Sequence, residues 1–163
     1  MSAAAITVRR ADYTDPADAQ AIVALLDAYA CDPAGGAQAL DDDVKARLVA
    51  ELAARPQAFS ILAFDGEQPV GLVNCIEGFS TFKCKPLINV HDVAVLASHR
   101  GRGIAEQMLA LAERIGLERG AVKMTLEVLE GNAPALKLDQ RVGYEGYQLD
   151  PALGCARFMQ KWL

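Results

Sequence analysis

The distribution of apolar and polar residues in the first third of the chain predicts one strand and two helices. Residues 6–10 alternate apolar and polar side chains and include β-branched residues, which is typical of a strand. After Asp15-Pro16, apolar residues recur at i, i+3, i+4 and i+7 from Ile22, which predicts an amphipathic helix. A second helix follows the acidic run 41–43, whose carboxylates favour the positive N-terminal end of a helix.

The middle of the chain predicts a hairpin followed by a strand, a polar turn and a helix. The apolar runs 59–64 and 70–76 flank a turn-rich segment, 65–69, and therefore predict two antiparallel strands. Residues 87–96 predict a further strand. The polar turn 98–103 then leads into a helix with apolar residues on one face.

The last part of the chain completes the order β-α-α-β-β-β-α-β-α-β-β. Residues 122–128 predict a strand, 132–142 a short helix, and 143–149 and 157–163 two terminal strands. No internal repeat, low-complexity tract or linker interrupts this order. We therefore expect a single α/β domain over residues 1–163, with a mixed sheet of six to seven strands flanked by about four helices.

Composition and charge exclude several classes of function. The residues are 52% hydrophobic and 23% charged, as in ordinary globular domains. The net charge of −5 and the lack of clustered Lys or Arg argue against nucleic-acid and anionic-membrane partners. No stretch approaches the ~20 apolar residues that cross a bilayer, and the start of the sequence lacks a signal-peptide pattern. We expect a cytoplasmic protein.

Neither a metal site nor a redox motif is indicated. The four cysteines are scattered without CxxC spacing or a nearby pair of histidines, which favours reduced, structural thiols. The acidic run 41–43 is interpreted as a helix start, because three adjacent aspartates on a helix cannot all converge on one ion.

One segment predicts an anion-binding site, because a strand runs into a glycine-bearing turn and then into a helix N-terminus. The first amides of a helix have no intrahelical partner, so this arrangement can bind an anion such as a diphosphate. Glycines let the backbone approach an oxyanion closely, and arginines add charge-assisted contacts to phosphate. The segment comprises Arg100, Gly101, Arg102, Gly103, Ile104 and Ala105.

This segment lacks two well-known nucleotide-binding fingerprints. A dinucleotide fold needs a third glycine where Glu106 stands, and a Walker motif needs Gly-Lys followed by Ser or Thr. The segment instead resembles the pyrophosphate-binding signature R/Q-x-x-G-x-G/A of the GNAT N-acetyltransferase superfamily, on Arg100, Gly103 and Ala105. The resemblance continues in order and spacing across residues 89–144, whereas the N-terminal part of the chain fits only the family's element order.

The resemblance implies how the chain would bind acetyl-CoA. In the GNAT fold the pantetheine arm adds like an extra strand where two central parallel strands splay apart, and Val93, Ala94 and Val95 would offer it backbone groups. The segment 100–105 would take the pyrophosphate. Asn132 lies where the family often uses an asparagine to contact the cofactor arm or its thioester. Capping preference also predicts Asn132 as a helix N-cap, and the two roles are compatible.

The resemblance also implies an activity. It divides the chain into a cofactor-binding core, about residues 87–145, and acceptor-side elements, about residues 1–86. The activity implied is transfer of an acetyl group from acetyl-CoA to a primary amine of a small molecule or peptide, by direct attack in a ternary complex. The motif at 91–95 is closer to small-molecule acetyltransferases than to histone-type enzymes, and a homodimer is a possible assembly by analogy with relatives.

An amine must be neutral before it attacks the thioester, so a base near the acceptor is expected. His91 is a candidate because imidazole exchanges protons near neutral pH, with a structural histidine as the alternative. By strand alternation, Asp92 points to the face opposite His91 unless a bulge intervenes. Enzymes that the resemblance relates to this chain, those acting on small amines, often carry an acidic residue at this position. Glu127, on the neighbouring strand, is expected either to face the cleft or to lie on a solvated strand face.

The residue after Leu138 departs from the family pattern. GNAT enzymes commonly have a tyrosine there, which protonates the CoA thiolate, but this chain has Asp139. The thiolate could leave unassisted or through water, Tyr144 or Tyr147 could supply a phenol, or catalysis could be impaired. The last alternative corresponds to a different function, a non-catalytic acyl-CoA-binding or sensor module.

Overall fold

The structure, a computed structural model, describes residues 5–163. The chain divides into two compact units, one ending at Leu126 and the other comprising Glu127–Leu163. Within residues 5–163 no helix has the length and apolar character needed to cross a membrane.

The first unit is built on one five-stranded sheet in which consecutive strands are neighbours. The strands are β1 (Ile6–Arg10), β2 (Ala58–Asp65), β3 (Gln68–Ser80), β4 (Lys85–Val95) and β5 (Met124–Leu126). The first four strands pair antiparallel, whereas β4 and β5 are parallel. The sheet is therefore mixed, as the sequence predicts.

Four α-helices accompany the sheet. They are α1 (Pro16–Cys31), α2 (Asp42–Ala53) and α3 (Ile104–Glu118) in the first unit and α4 (Ala133–Arg141) in the second. The Asp15 side chain caps α1 by accepting a hydrogen bond from the Ala17 amide, as the Asp-Pro start predicts. The predicted element order is therefore confirmed from β1 to α4.

Helices cover both faces of the sheet. On one face, Ile22 and Leu25 of α1 pack against a row of register partners, Leu62, Leu72 and Ala94, on three adjacent strands. This apolar row anchors α1 over the centre of the sheet because its members are all buried.

The opposite face of the sheet is covered by α3, and glycines allow the close approach. A Cβ atom added at Gly71 of β3 would lie 2.9 Å from Cε of Met108, and one added at Gly116 of α3 would lie 3.0 Å from Cγ1 of Ile88. Both contacts are tighter than ordinary van der Waals packing. Gly71 and Gly116 therefore leave the space into which Met108 and Ile88 pack.

The prediction of six to seven strands is wrong, because the sheet has five. Residues 143–149 and 157–163, predicted as terminal strands, form no ladder within the part of the chain that the structure describes. Several of their large side chains are exposed, among them Tyr147 at 57% and Trp162 at 87%. A strand needs the hydrogen bonds and apolar face of a neighbour, and the second unit offers these segments no strand to pair with.

An ion pair between the buried Asp18 and the exposed Arg9 ties the start of α1 to β1. The Asp18 side chain is 1% exposed and accepts hydrogen bonds from both terminal nitrogens of Arg9, each at 2.7 Å, and from the Asp12 amide at 2.8 Å. The Arg9 guanidinium holds the pKa of the Asp18 carboxyl below its ordinary value, in spite of burial. This contact fixes where α1 leaves the edge of the sheet.

Asp18→Asn is expected to lower the free energy of unfolding by about 2 kcal/mol at neutral pH, because it weakens buried charge-assisted hydrogen bonds. The folded-state pKa is lowered, so this stabilisation is present above the ordinary carboxyl pKa and is lost as the pH falls through the native value. Urea unfolding at neutral and at acidic pH should therefore show a difference between wild type and variant that shrinks in acid. A difference independent of pH would contradict this account. Asp12→Asn, at an exposed carboxylate of the same loop, is the matched control and should change stability little.

Candidate functional site

The outer half of β4 has an open edge. Strand β5 pairs with Ile88, Asn89 and Val90, while the ladder to β3 continues to Val95. On the β5 side, no strand in residues 5–163 pairs with residues 91–95. Alternate backbone groups there point away from β3, so Val93 to Val95 present an edge to which an extended chain can add.

A one-residue bulge at His91 puts Asp92 on the opposite face of β4 from Val90. The register partner of Asp92 is Asn74 of β3, whereas the following β3 residue pairs with Val90, so His91 is left as the extra residue. Strand residues two apart share a face, and an extra residue reverses the alternation that precedes it. Asp92 therefore shares the face towards α1 with Ala94.

A row of polar side chains leads to Asp92 across three strands. Asn74 Nδ2 donates to Asp92 Oδ2 at 3.0 Å, Ser60 Oγ donates to Asn74 Oδ1 at 2.6 Å, and the Tyr13 hydroxyl lies 2.9 Å from Ser60 Oγ. Ser60 is 1% and Asn74 6% exposed. Sequence reasoning missed this row. Its signal was a single polar residue in each of two apolar strand runs.

The turn after β4 leads directly into α3. Gly101 and Gly103 have φ values of +75° and +72°, in the left-handed region that favours glycine. Gly103 is the N-cap of α3, and no side chain caps this helix end. The first turn of α3 therefore presents backbone N–H groups without an intrahelical partner, next to the end of the open edge of β4.

A cavity of about 430 Å³ lies within the first unit, where the end of α1 meets the end of β4. Tyr29 and Asp32 line it from the helix side and Val95 from the strand side. Burial raises the pKa of the Tyr29 phenol, and the nearby carboxylates of Asp92 and Asp32 raise it further. The α1 side of the cavity therefore carries a protonated phenol, next to the Asp32 carboxylate that pairs with Arg100 in the same lining.

Residues 22–144 match the family model described as "Acetyltransferase (GNAT) family". This chain belongs to the GNAT acetyltransferase family. The match includes all of β4, the glycine turn and α3, which carry the open edge and the uncapped helix end.

Two curated relatives match this GNAT chain over part of their length. The streptothricin acetyltransferase of Streptomyces lavendulae is 38% identical over 66 residues, which is 40% of this chain and 35% of that protein. The aminoglycoside N(6')-acetyltransferase type 1 of Salmonella typhimurium is 32% identical over 60 residues, 37% of this chain and 41% of that protein. The chain thus spans less than half the length of the curated relatives it matches.

The same fold recurs in solved structures. AAC(6')-Iy in complex with a CoA-containing bisubstrate analog superimposes with a TM-score of 0.75, covering 98% of this chain and 100% of that chain, at 18% identity. At this identity the likeness shows the GNAT fold and nothing narrower.

Both arginines of the glycine turn, Arg100 of the GNAT signature and Arg102, are held by carboxylates. Arg100 pairs with Asp32 at 2.9 Å and also donates from Nε to the Val95 carbonyl oxygen at 3.1 Å, while Arg102 pairs with Asp65 at 2.9 Å. The Ala34 amide and the Arg100 guanidinium lower the pKa of Asp32. The sequence predicted these arginines only as phosphate contacts, because ion pairs to distant residues leave no local pattern.

His91 is exposed at the bulge of this GNAT chain. Its Nδ1 lies 3.1 Å from Asn89 Oδ1, and Asn89 Nδ2 donates to Thr125 Oγ1 at 3.1 Å, so the imidazole is tied to the parallel β4–β5 pair. His91 and Asp92, the two predicted bases on this strand, therefore occupy different surroundings, one exposed and the other at the end of a buried polar row.

The second unit carries the remaining predicted site residues. Asn132 is the N-cap of α4, and its Oδ1 accepts a hydrogen bond from the Ala135 amide at 3.4 Å, so the predicted capping role is confirmed. Asp139 is 8% exposed, and burial raises the pKa of its carboxyl. Glu127 is exposed at the first position of the unit. Their predicted roles towards cofactor and acceptor stay predictions.

Proposed function

We propose that this chain transfers the acetyl group of acetyl-CoA to a primary amine of a small molecule. The observation that carries the proposal is the open edge of β4, which ends at the uncapped N-terminus of α3. An edge that accepts an extended chain, followed by a helix end that accepts an anion, suits a pantetheine arm followed by a pyrophosphate.

The residues present fit acetyl-CoA. Nothing lies within 4 Å of a Cβ position at Gly101 or Gly103, so the turn leaves room for phosphate oxygens next to its backbone. The amides from Gly103 to Ala105 would hold the pyrophosphate, with the side chains of Arg100 and Arg102 beside them. Acetyl-CoA would supply an activated acyl group, and the protein's contribution is to hold it and to accept a proton from the amine.

Asp92 is the base that the geometry favours. Its carboxyl lies on the α1 face of β4, near the Tyr29 phenol that lines the cavity, and Asn74 fixes its orientation. An ammonium group held beside the Tyr29 phenol could lose its proton to the nearby Asp92 carboxylate. His91, exposed at the bulge, is the competing base.

Direct attack by the amine is supported over an acyl-enzyme formed on Cys75. Cys75 is buried in β3, and burial raises the pKa of its thiol to about 12, so a nucleophilic thiolate is disfavoured there. The departing CoA thiol has an ordinary pKa of ~8.5, so its release needs only modest help in the absence of the family tyrosine.

Aminoglycoside-like or streptothricin-like polyamines are the acceptor class that we propose. The names of both curated relatives point to such substrates. The net charge of −5 also suits a polycation. The four cysteines are scattered along the chain without a disulfide framework, and we propose the cytoplasm as the site of action. A homodimer stays a prediction by analogy.

A thiol-release assay tests the proposal. Acetyl-CoA is incubated with the protein and an aminoglycoside, streptothricin, a linear polyamine, an amino acid or a short peptide, with CoA binding measured by calorimetry alongside. We expect CoA binding, and thiol release above the amine-free rate with an aminoglycoside or streptothricin. Release only with the peptide would overturn the acceptor class.

Tight CoA binding without release from any amine would favour the sensor module instead. Asp139→Tyr then distinguishes a decayed enzyme, which should gain turnover, from a native binding role, in which the variant gains none.

A further inference from the structure

The polar row that ends at Asp92 is built into the register of the sheet. Ser60 pairs with Asn74 and Asn74 pairs with Asp92, so the three residues face the same side on β2, β3 and β4. We propose that Asn74, Ser60 and Tyr13 are positioning residues that hold the Asp92 carboxylate towards the acceptor. This inference rests on the proposed acetyl transfer.

The direction of every hydrogen bond in the row follows from donor chemistry. A carboxylate can only accept, so Asn74 turns its NH₂ group to Asp92 and its carbonyl oxygen to Ser60. The one hydroxyl proton of Ser60 is then used on Asn74, and Tyr13 must donate to Ser60 Oγ. Burial raises the pKa of Tyr13, which keeps this donor protonated.

The row orients the carboxylate but does not conduct protons. An amide side chain does not exchange a proton readily, so Asn74 interrupts any proton path between Tyr13 and Asp92. What the row supplies is a chain of three aligned hydrogen bonds, of which the last, from Asn74 Nδ2, holds one oxygen, Asp92 Oδ2. The opposite carboxylate oxygen, Oδ1, is thereby left to the acceptor side.

Stability alone does not account for the row. The neighbouring row on the same face, Leu62, Leu72 and Ala94, shows that apolar side chains pack well under α1. Buried polar groups that are fully paired add little net stability over apolar ones of similar shape, and they are commonly kept at functional sites. The regular register from Val95 to Asp92 brings Asp92 into line with this row, and the bulge at His91 puts Val90 on the opposite face.

A double-mutant cycle between Asn74→Leu and Asp92→Asn tests the inference. Asn74→Leu is expected to lower kcat with the amine about tenfold and to leave the KM for acetyl-CoA nearly unchanged. In the Asp92→Asn background the same substitution should have no further effect on kcat, because it acts only through the carboxylate. Independent, multiplicative losses would overturn the inference.

Two further variants separate positioning from a general loss of stability. Val73→Ala removes a buried side chain next to Asn74 in sequence but on the opposite face, so it should lower Tm without the tenfold loss of kcat. Tyr13→Phe removes only the distal hydroxyl and keeps the ring. It should lower kcat less than Asn74→Leu, and it provides the test if Asn74→Leu does not fold. An unchanged kcat in folded Tyr13→Phe and Asn74→Leu would contradict a positioning role.

Failure of the proposed function can be told apart from failure of this inference. Wild-type protein that acetylates no amine would contradict the proposed function. Full activity in Asp92→Asn would contradict the assignment of Asp92 as the base. A crystal structure of Asn74→Leu gives a readout independent of turnover, since the Asp92 side chain is expected to adopt a different rotamer. An unchanged Asp92 position in that variant would overturn the positioning role by itself.

Discussion

Asp92→Asn is expected to lower kcat/KM for the amine by about 10²–10⁴-fold, the usual contribution of a general base. The replacement has nearly the same shape and can still accept the hydrogen bond from Asn74 Nδ2, so the fold and the polar row should survive. What is lost is the carboxylate that takes the amine proton. Steady-state kinetics with the acceptor identified by the thiol-release panel measure the effect, and the KM for acetyl-CoA should stay within about twofold of wild type.

His91→Ala is the comparison that decides between the two candidate bases. The two residues are adjacent on β4, but the bulge places the His91 imidazole in an exposed position, 3.1 Å from Asn89. We therefore expect a smaller loss in His91→Ala than in Asp92→Asn. A larger loss in His91→Ala, together with disappearance of the acidic limb of the pH profile, would assign the base to the histidine.

The sequence predicts those features of the fold that depend on residues close together in the chain. The Asp15 cap, the glycine turn and the uncapped start of α3 all follow from neighbouring residues, and each is confirmed in the structure. The face of Asp92 depends instead on one extra residue in a ladder with β3. Period-two alternation cannot locate a bulge, so strand patterning leaves the orientation of Asp92 open.

Features that join distant segments lie beyond sequence patterning. Arg102 and Asp65 meet although 37 positions separate them, and Arg100 and Asp32 are 68 positions apart. Neither pair leaves a periodic signal. The terminal segments illustrate the converse, since residues 143–149 alternate like a strand but have no ladder partner in the described chain. Pattern predicts which residues can form a strand, and only pairing decides whether they do.

Gly103→Ala is expected to weaken acetyl-CoA binding by about 10–100-fold, the loss of one or two charge-assisted hydrogen bonds to phosphate. The added methyl group meets no atom within 4 Å in the protein itself, so it would occupy the space that the proposed pyrophosphate needs. It also forces an alanine into the left-handed region at φ +72°, which costs about 1–2 kcal/mol of stability. Calorimetric titration with CoA and thermal unfolding measure the two effects separately.

Gly120→Ala is the matched control because it imposes the same strain at the other end of α3. Gly120 has φ +75° and likewise has nothing within 4 Å of a Cβ position. Both variants should therefore lose similar stability, while only Gly103→Ala should lose CoA affinity. If both variants bind CoA as tightly as the wild type, the α3 N-terminus is not part of the cofactor site. If both lose affinity equally, the loss comes from backbone strain. Loss in Gly103→Ala alone would mean that CoA is bound by backbone amides at the start of α3, where Arg100 and Arg102 are already paired to carboxylates.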